Sequence, residues 1–219
     1  MRQLLLLRPE PGLSASAERA REMGLAIIAC PLFRIEPVAW EAPDPRAYDA
    51  LLLTSANAIR HGGHELEGLK SLPVHAVGAA TAAAAAEAGF SVETVGEKDV
   101  EDLVRRLPNP LRLLHLAGEK HLAVDAPQLE RKIVYRSAAI QEPDLPPLEG
   151  LVAAVHSPRA GARLAELASD RSQTIIAAIS EAAAQAVGSD WARVEAAERP
   201  NDASLLALAA MLCHTSHAT

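Results

Sequence analysis

"ALLLTSANAIR" (Ala50–Arg60) and "AAVHSPRAGAR" (Ala153–Arg163) are two apolar runs that each break at a small hydroxyl residue, Ser55 and Ser157. The serines lie 102 residues apart, and the same offset brings Val77 onto Ile179, Ala80 onto Ala182, Val92 onto Val194 and Leu103 onto Leu205. Alanine matches alanine cheaply, so residue identity alone says little. Strand ends, helix starts and the following strand nevertheless hold one register without a gap, which points to an internal duplication. In open parallel sheets ligands lie outside the carboxyl ends of strands. Ser55 and Ser157 are therefore candidate ligand contacts as well as candidate helix caps.

Outward from these runs, strand and helix alternate. Leu4–Leu7 reads as a short strand, and Ser14 as the cap of a helix reaching Met23 and closed by Gly24. "LAIIACPLF" reads as one further strand. Beyond the loop at Pro43–Pro45 come "DALLLTS" as strand, "NAIRHGG" as a helix start, "PVHAVG" as strand, a helix from Ala79 closed by Gly89, and "FSVETV" as strand. "DVEDLVRRL" follows as helix and "LRLLHLAG" as strand, then a polar stretch of helical potential from Glu119 to Lys132, and "KIVYRSAAI" as strand. After the prolines at 143, 146 and 147 the pattern runs strand, helix three times more. Such alternation with continuous apolar strands is the mark of parallel sheets covered on both faces. The strands are too many for one sheet in 219 residues, so the fold class is α/β with two similar parallel-sheet domains.

Composition narrows the function classes. The 49% hydrophobic fraction suffices for a core, and its low aromatic content leaves Leu, Ala, Val and Ile to fill it. A net charge of −7 argues against a broad nucleic-acid surface. No apolar stretch has the length of a membrane span, and the leucine run in "MRQLLLLRPEP" breaks at Arg8 and Pro9, too early for a secretory segment. Cys30 and Cys213 sit among apolar neighbours with no CxxC spacing and read as reduced, packed thiols. The expected location is cytoplasmic.

The chain carries no GxGxxG after its first strand, no Walker sequence and no HExxH. His61 and His64 flank a glycine pair and give no rigid metal-ligand spacing, so no metal site is expected. His214 and His217 belong to the C-terminal tail. Arginine is better placed: Arg8 follows the first strand, Arg136 follows Tyr135, and Arg159 and Arg163 open the helix after Ser157. Guanidinium groups offer forked donors suited to carboxylates.

"YDALLLTSANAIR", "VHAVGAATAAAAAEAGF", "LLHLAGE", "VYRS", "VHSPRAG" and "IAAISEAAAQAV", with "RPEPG" before them and "RPNDASLLALA" after, occur in the order found in uroporphyrinogen-III synthases, so nearly the whole chain resembles that family. The resemblance implies two α/β domains joined by a two-stranded connector. The first, discontinuous, would comprise residues 1–36 and 138–219, the second residues 37–137. The implied reaction is cyclisation of hydroxymethylbilane, a linear tetrapyrrole with eight carboxylates, to uroporphyrinogen III. Water is lost and the last pyrrole ring is inverted through a spiro intermediate, with no metal or organic cofactor. Tyr135 matches the family's tyrosine and is the implied catalytic residue, assisting departure of the hydroxyl. Thr54, Ser55, Thr81 and Ser157 match hydroxyl positions that would receive substrate carboxylates, and Arg8, Arg136, Arg159 and Ser180 complete the expected binding set. A monomer is expected, with transient hand-over of substrate from the preceding pathway enzyme and no nucleic-acid or membrane partner.

One departure stands out. "ISEAAAQ" replaces a turn that in many relatives is rich in glycine, proline or threonine, and a carboxylate at Glu181 would repel an anionic substrate unless it pointed outward. Two other classes compete with the synthase reading. Duplicated lobes without catalytic signatures also suit a non-enzymatic binding protein, and Ala182 and Ala183 would suit a descendant whose site has decayed. The decisive experiment is a coupled assay that supplies freshly made hydroxymethylbilane and separates isomer III from isomer I.

Overall fold

The structure, a computed structural model, describes residues 1–108, 110–120 and 129–215. The chain divides into two compact units, unit 1 (Met1–Arg34 with Ala139–Thr219) and unit 2 (Ile35–Ala138). It opens with β1 (Leu4–Leu6), α1 (Gly12–Glu22), β2 (Ile27–Ala29) and β3 (Phe33–Pro37). Next come β4 (Ala50–Leu53), α2 (Asn57–His61), β5 (Val74–Val77), α3 (Ala79–Glu87), β6 (Val92–Gly96), α4 (Val100–Arg106), β7 (Leu113–Gly118) and β8 (Leu129–Ala139). The chain ends with β9 (Val152–Val155), α5 (Pro158–Leu167), β10 (Ile175–Ala178), α6 (Glu181–Ala186), β11 (Arg193–Ala196) and α7 (Asp202–His214). No helix among the described residues is long and apolar enough to cross a membrane.

Each unit is built on a sheet with parallel pairing. The sheet of unit 1 has the order β2-β1-β9-β10-β11, and that of unit 2 the order β3-β8-β7-β4-β5-β6. Removing β3 leaves the same five-strand arrangement twice, with β7 in the place of β1 and β4 in the place of β9. The chain leaves unit 1 within β3 and returns within β8, which lie side by side.

The apolar runs are continuous because both sheet faces are covered. Leu4 and Leu6 pack with Leu13, Leu205 and Leu212 on one face, while Leu5 and Leu7 pack with Leu164 and Trp191 on the other. In unit 2 Leu51 and Leu53 face Ala58 and Ala85, and Leu52 faces Val100 and Leu103. Each fully buried leucine contributes about 2 kcal/mol. Cys30 and Cys213 are buried and unpaired, and burial pushes the Cys213 thiol up to about 11, which leaves it inert at neutral pH.

The duplication is visible in strand pairing. Leu51 opposes Val74 as Ala153 opposes Ile176, and Val74 opposes Val92 as Ile176 opposes Val194. The register then slips, because β6 bulges after Val92 and Thr94 takes the place that Glu195 holds in β11. The offset of 102 returns at the helix caps, where Asp99 accepts from Asp102 N and Asn201 from Ser204 N. The gapless register read from sequence is corrected to one with a compensated bulge. Ser55 and Ser157 do lie at corresponding carboxyl ends, each two residues past its strand.

Two further readings change. Ser14 does not cap α1; it sits inside the first turn, and the Glu10 carboxylate accepts from both its backbone N–H and its hydroxyl. "LAIIACPLF" is not one strand, since Pro31 has no N–H to extend the ladder and β3 pairs in the other sheet. Of the polar stretch from Glu119, residues 121–128 lie outside the described residues, as does His217, and Leu129–Lys132 belong to β8 rather than to a helix.

In unit 1, a single carboxylate ties the edges of α1 and α7 to the strand ends. Asp202 accepts from Arg8 Nη1 at 2.9 Å, Ser16 Oγ at 2.5 Å, Arg19 Nε at 3.0 Å and His156 Nε2 at 2.8 Å. Burial alone would raise its pKa, but the hydrogen bonds from Ser16, His156 and Arg19 outweigh it and bring the carboxyl down to about 2 from 3.8. Burial keeps His156 below its ordinary 6.5. Both depressed values stabilise the fold at neutral pH. The His156 share is lost as pH falls below about 6.5, and the Asp202 share between about 4 and 2. Asp202→Asn should therefore cost about 2 kcal/mol at pH 7 and flatten the acid limb of stability below pH 4. Urea unfolding across pH 2–8 measures this; an unchanged acid limb would remove Asp202 as its source.

Candidate active site

Where the chain order of a parallel sheet reverses, the loops from two neighbouring strands part and leave a crevice at the carboxyl ends. In unit 2 this point falls between β4 and β7. A cavity of about 330 Å³ opens there, lined by Thr54, Ser55, Val77, Lys98, Asp99, Val100, His115, Gly118, Lys120 and Tyr135. A larger cavity of about 520 Å³ in unit 1 is framed by Leu148, Glu149, Gln173 and Thr174, at the amino ends of β9 and β10. Strand polarity favours the smaller one. Its two lysines and three hydroxyls also suit an anion, while Asp99 is turned to its own helix, accepting from Asp102 N at 2.8 Å.

Tyr135 reaches this cavity through a fault in the sheet. Pairing of β7 with β8 runs from Leu113 opposite Leu129 to Ala117 opposite Ile133, then slips so that Gly118 opposes Tyr135. A Cβ at Gly118 would stand 2.7 Å from two ring carbons of Tyr135. The ring therefore packs against bare backbone, and only glycine leaves it that place. His61, at the end of α2, flanks the ring at 6.4 Å between centroids. Burial lowers the His61 pKa, which keeps its imidazole neutral at pH 7.

Thr54 and Ser55 follow β4 directly. Ser55 Oγ accepts from Asn57 N at 3.2 Å, which leaves its hydroxyl proton to donate. Thr54 Oγ1 lies 3.0 Å from Nε2 of His115, a residue of β7 that is 1% exposed. Thr81 does not line the cavity; it is buried in the first turn of α3. Arg136 points its Nε and Nη2 at Glu36 Oε2, at 3.2 and 3.1 Å.

Arg8, Ser157, Arg159 and Ser180 belong to unit 1. Arg8 is held by Asp202 and Ser16. Ser157 and Ser180 cap α5 and α6, accepting from Ala160 N at 3.1 Å and Ala183 N at 3.3 Å. The Arg159 guanidinium stacks over Phe33, 4.1 Å from the ring centroid, and Glu181 is exposed. The structure thus gathers Thr54, Ser55 and Tyr135 at one cavity and gives Arg8 and Arg136 carboxylate partners of their own. His64 is exposed beside Glu65, and among the described residues no cluster of three metal-ligating groups forms.

Sequence reasoning missed His115, Arg131, Lys98, Lys120 and Gly118. The signal for His115 was its position in "LLHLAG", where a polar side chain interrupts a strand buried along its whole length. The lysines lie on loops, where sequence spacing carries no directional information.

Residues 14–207 match the sequence pattern of the family described as uroporphyrinogen-III synthase HemD. Among solved structures the chain is similar to uroporphyrinogen-III synthetase of Helicobacter pylori 26695, at 18% identity and a TM-score of 0.69, covering 97% of this chain and 100% of that one. It also matches uroporphyrinogen III synthase of the extremely thermophilic bacterium Thermus thermophilus, at 19% identity and a TM-score of 0.41 over 95% and 97% of the two chains. No curated protein matches in sequence. With most of its length under one family pattern and its fold shared with a solved member, the chain belongs to the uroporphyrinogen-III synthase HemD family, the lyases that cyclise hydroxymethylbilane in tetrapyrrole biosynthesis.

Proposed function

We propose that this uroporphyrinogen-III synthase uses the cavity at the ends of β4 and β7 to hold one end of hydroxymethylbilane, with Tyr135 at the reacting carbon. The observation that carries this reading is the convergence on one cavity of a tyrosine hydroxyl, two lysines and the Thr54 and Ser55 hydroxyls. Its volume is at the low end of the roughly 300–1,000 Å³ usual for small-ligand pockets. A tetrapyrrole with four rings and eight carboxylates exceeds it, so the cavity takes a terminal ring and its acidic arms.

In this reading the pyrrole nitrogen pushes out the terminal hydroxyl. The carbon–oxygen bond breaks, and the oxygen leaves as water after taking up a proton. The Tyr135 hydroxyl hydrogen-bonds to the departing oxygen. The electrophilic methylene carbon that remains is attacked by the last ring at its substituted position, giving the spiro intermediate. Carbon–carbon bond migration and ring closure then deliver isomer III. Because the electrophile also closes without help, holding the ends in place contributes more than acid strength does. Lys98, Lys120, Thr54 and Ser55 supply that hold, and Arg8, Arg136, Ser157, Arg159 and Ser180 are second-line candidates for the remaining carboxylates. Arg8 and Arg136 would have to exchange or share Asp202 and Glu36. The protein is proposed to act as a cytoplasmic monomer that receives its substrate by transient hand-over. Chain passage through β3 and β8 supports their use as a hinge.

Two variants test the assignment. Tyr135→Phe should lower turnover by about 10²-fold or less, the lower end of general-acid assistance, while isomer III remains the main product. Gly118→Ala should displace the ring and shift product toward isomer I with the fold retained. Both are read by separating isomers I and III after supplying freshly made hydroxymethylbilane. Parent-like turnover and isomer ratio in both variants would reduce Tyr135 to a packing residue.

A further inference from the structure

The face of the unit 2 sheet that carries Leu52 is polar where its duplicate is apolar. Across β8, β7 and β5, Arg131, His115 and His75 stand in register with Leu52. The corresponding positions in unit 1, read from strand pairing, are Ala29, Leu6 and Ala177. A fold that tolerates Leu6 at this place has no packing need for a histidine. His115 is nonetheless 99% inside, and its ring is held from both sides: Arg131 Nε donates to Nδ1 at 3.4 Å, and Nε2 lies 3.0 Å from Thr54 Oγ1.

These contacts fix a proton. Arginine has no acceptor, so Nδ1 carries the lone pair and Nε2 the hydrogen. Thr54 Oγ1 is then the acceptor, and its own proton must point elsewhere. Among the described residues no acceptor takes it, and Thr54 lines the cavity.

The other copy indicates what completes this arrangement. The equivalent of Thr54 is His156, whose Nε2 meets the Asp202 carboxylate at 2.8 Å. Asp202 is the first residue of α7, and its counterpart at the start of α4 is Val100. Unit 1 fills the spot with its own carboxylate, whereas among the described residues of unit 2 no carboxylate accepts from the Thr54 hydroxyl, and Asp99, the acid that lines the cavity, is turned to its own helix.

Resting on the cavity assignment above, we propose that His115, held by Arg131, is a positioning residue that turns the Thr54 hydroxyl proton into the cavity to receive a carboxylate of the substrate. His115 borders the cavity but is 1% exposed, and it acts through Thr54. Its removal weakens binding and leaves the chemical step largely intact.

The test uses the full chain and hydroxymethylbilane. His115→Leu, which adopts the residue of the duplicate, should raise KM about tenfold with kcat within about twofold, as should Thr54→Val. The double variant should raise KM no further than Thr54→Val alone. His115→Gln, whose amide nitrogen can stand where Nε2 stands, should recover most of the loss. Multiplying KM effects in the double variant, or a fall in kcat at constant KM for His115→Leu, would overturn the proposal. If His115→Leu does not fold, the comparison passes to His115→Gln, for which a KM as high as that of Thr54→Val overturns it. Imidazole nitrogen NMR of the parent reads the tautomer without any turnover: a proton on Nε2 of His115 supports the proposal, and one on Nδ1 sinks it. A parent protein that makes no isomer III would instead bring down the cavity assignment, while the tautomer would still decide the His115–Thr54 geometry.

Discussion

A parallel sheet needs both faces covered, and that requirement organises everything else in this chain. Parallel neighbours in one sheet need a connection long enough to return to the starting edge, and helices α1 to α6 fill such connections here. Leucine, valine and alanine can then occupy successive strand positions, because neither face meets water. The same requirement forces the chain order to reverse once in each sheet, between β1 and β9 and between β4 and β7. Loops part at those two points, and both sets of unusual polar contacts are found there. The Asp202 network in unit 1 and the His115–Thr54 pair in unit 2 occupy one topological position twice.

That equivalence has been used in opposite ways. In unit 1 the position is closed by four donors around a single carboxylate, a local structure that contributes to stability. In unit 2 valine replaces the aspartate and the donors face a cavity. A duplicated fold thus separates holding from binding, and the divergence resides in a few side chains at the strand ends while the backbone order is kept.

The architecture was largely legible because it rests on local signals that survive in any context: apolar runs of strand length, glycine at helix ends, and a repeated register. Gly89 closes α3 with φ +86°, as its place after the alanine run suggests. Departures arose where one residue works against its neighbours. Pro31 divides an apolar run, and an extra residue bulges β6, although both segments read as uninterrupted strands. The site was less legible. Thr54, Ser55 and Tyr135 came from motif order, and the structure brings them to one cavity. Arg8 and Arg136 have partners distant in sequence, so their charge could be read but its pairing could not. His115 acquires meaning only from Arg131 and Thr54, on two other strands.

The interrupted path of unit 1 also has a consequence for the order in which the molecule is made. Leu4 pairs with Val152, so β1 and β2 emerge from the ribosome long before the strand that completes their sheet. All strands of unit 2 are synthesised in that interval. Closing the long loop costs little extra entropy once unit 2 has folded within it, because its ends are then carried by paired neighbours, β3 and β8, instead of by free chain. The inserted unit acts as the clasp for the one that encloses it, and the leucines at the start of the chain stay without their central partner strand until the clasp has formed.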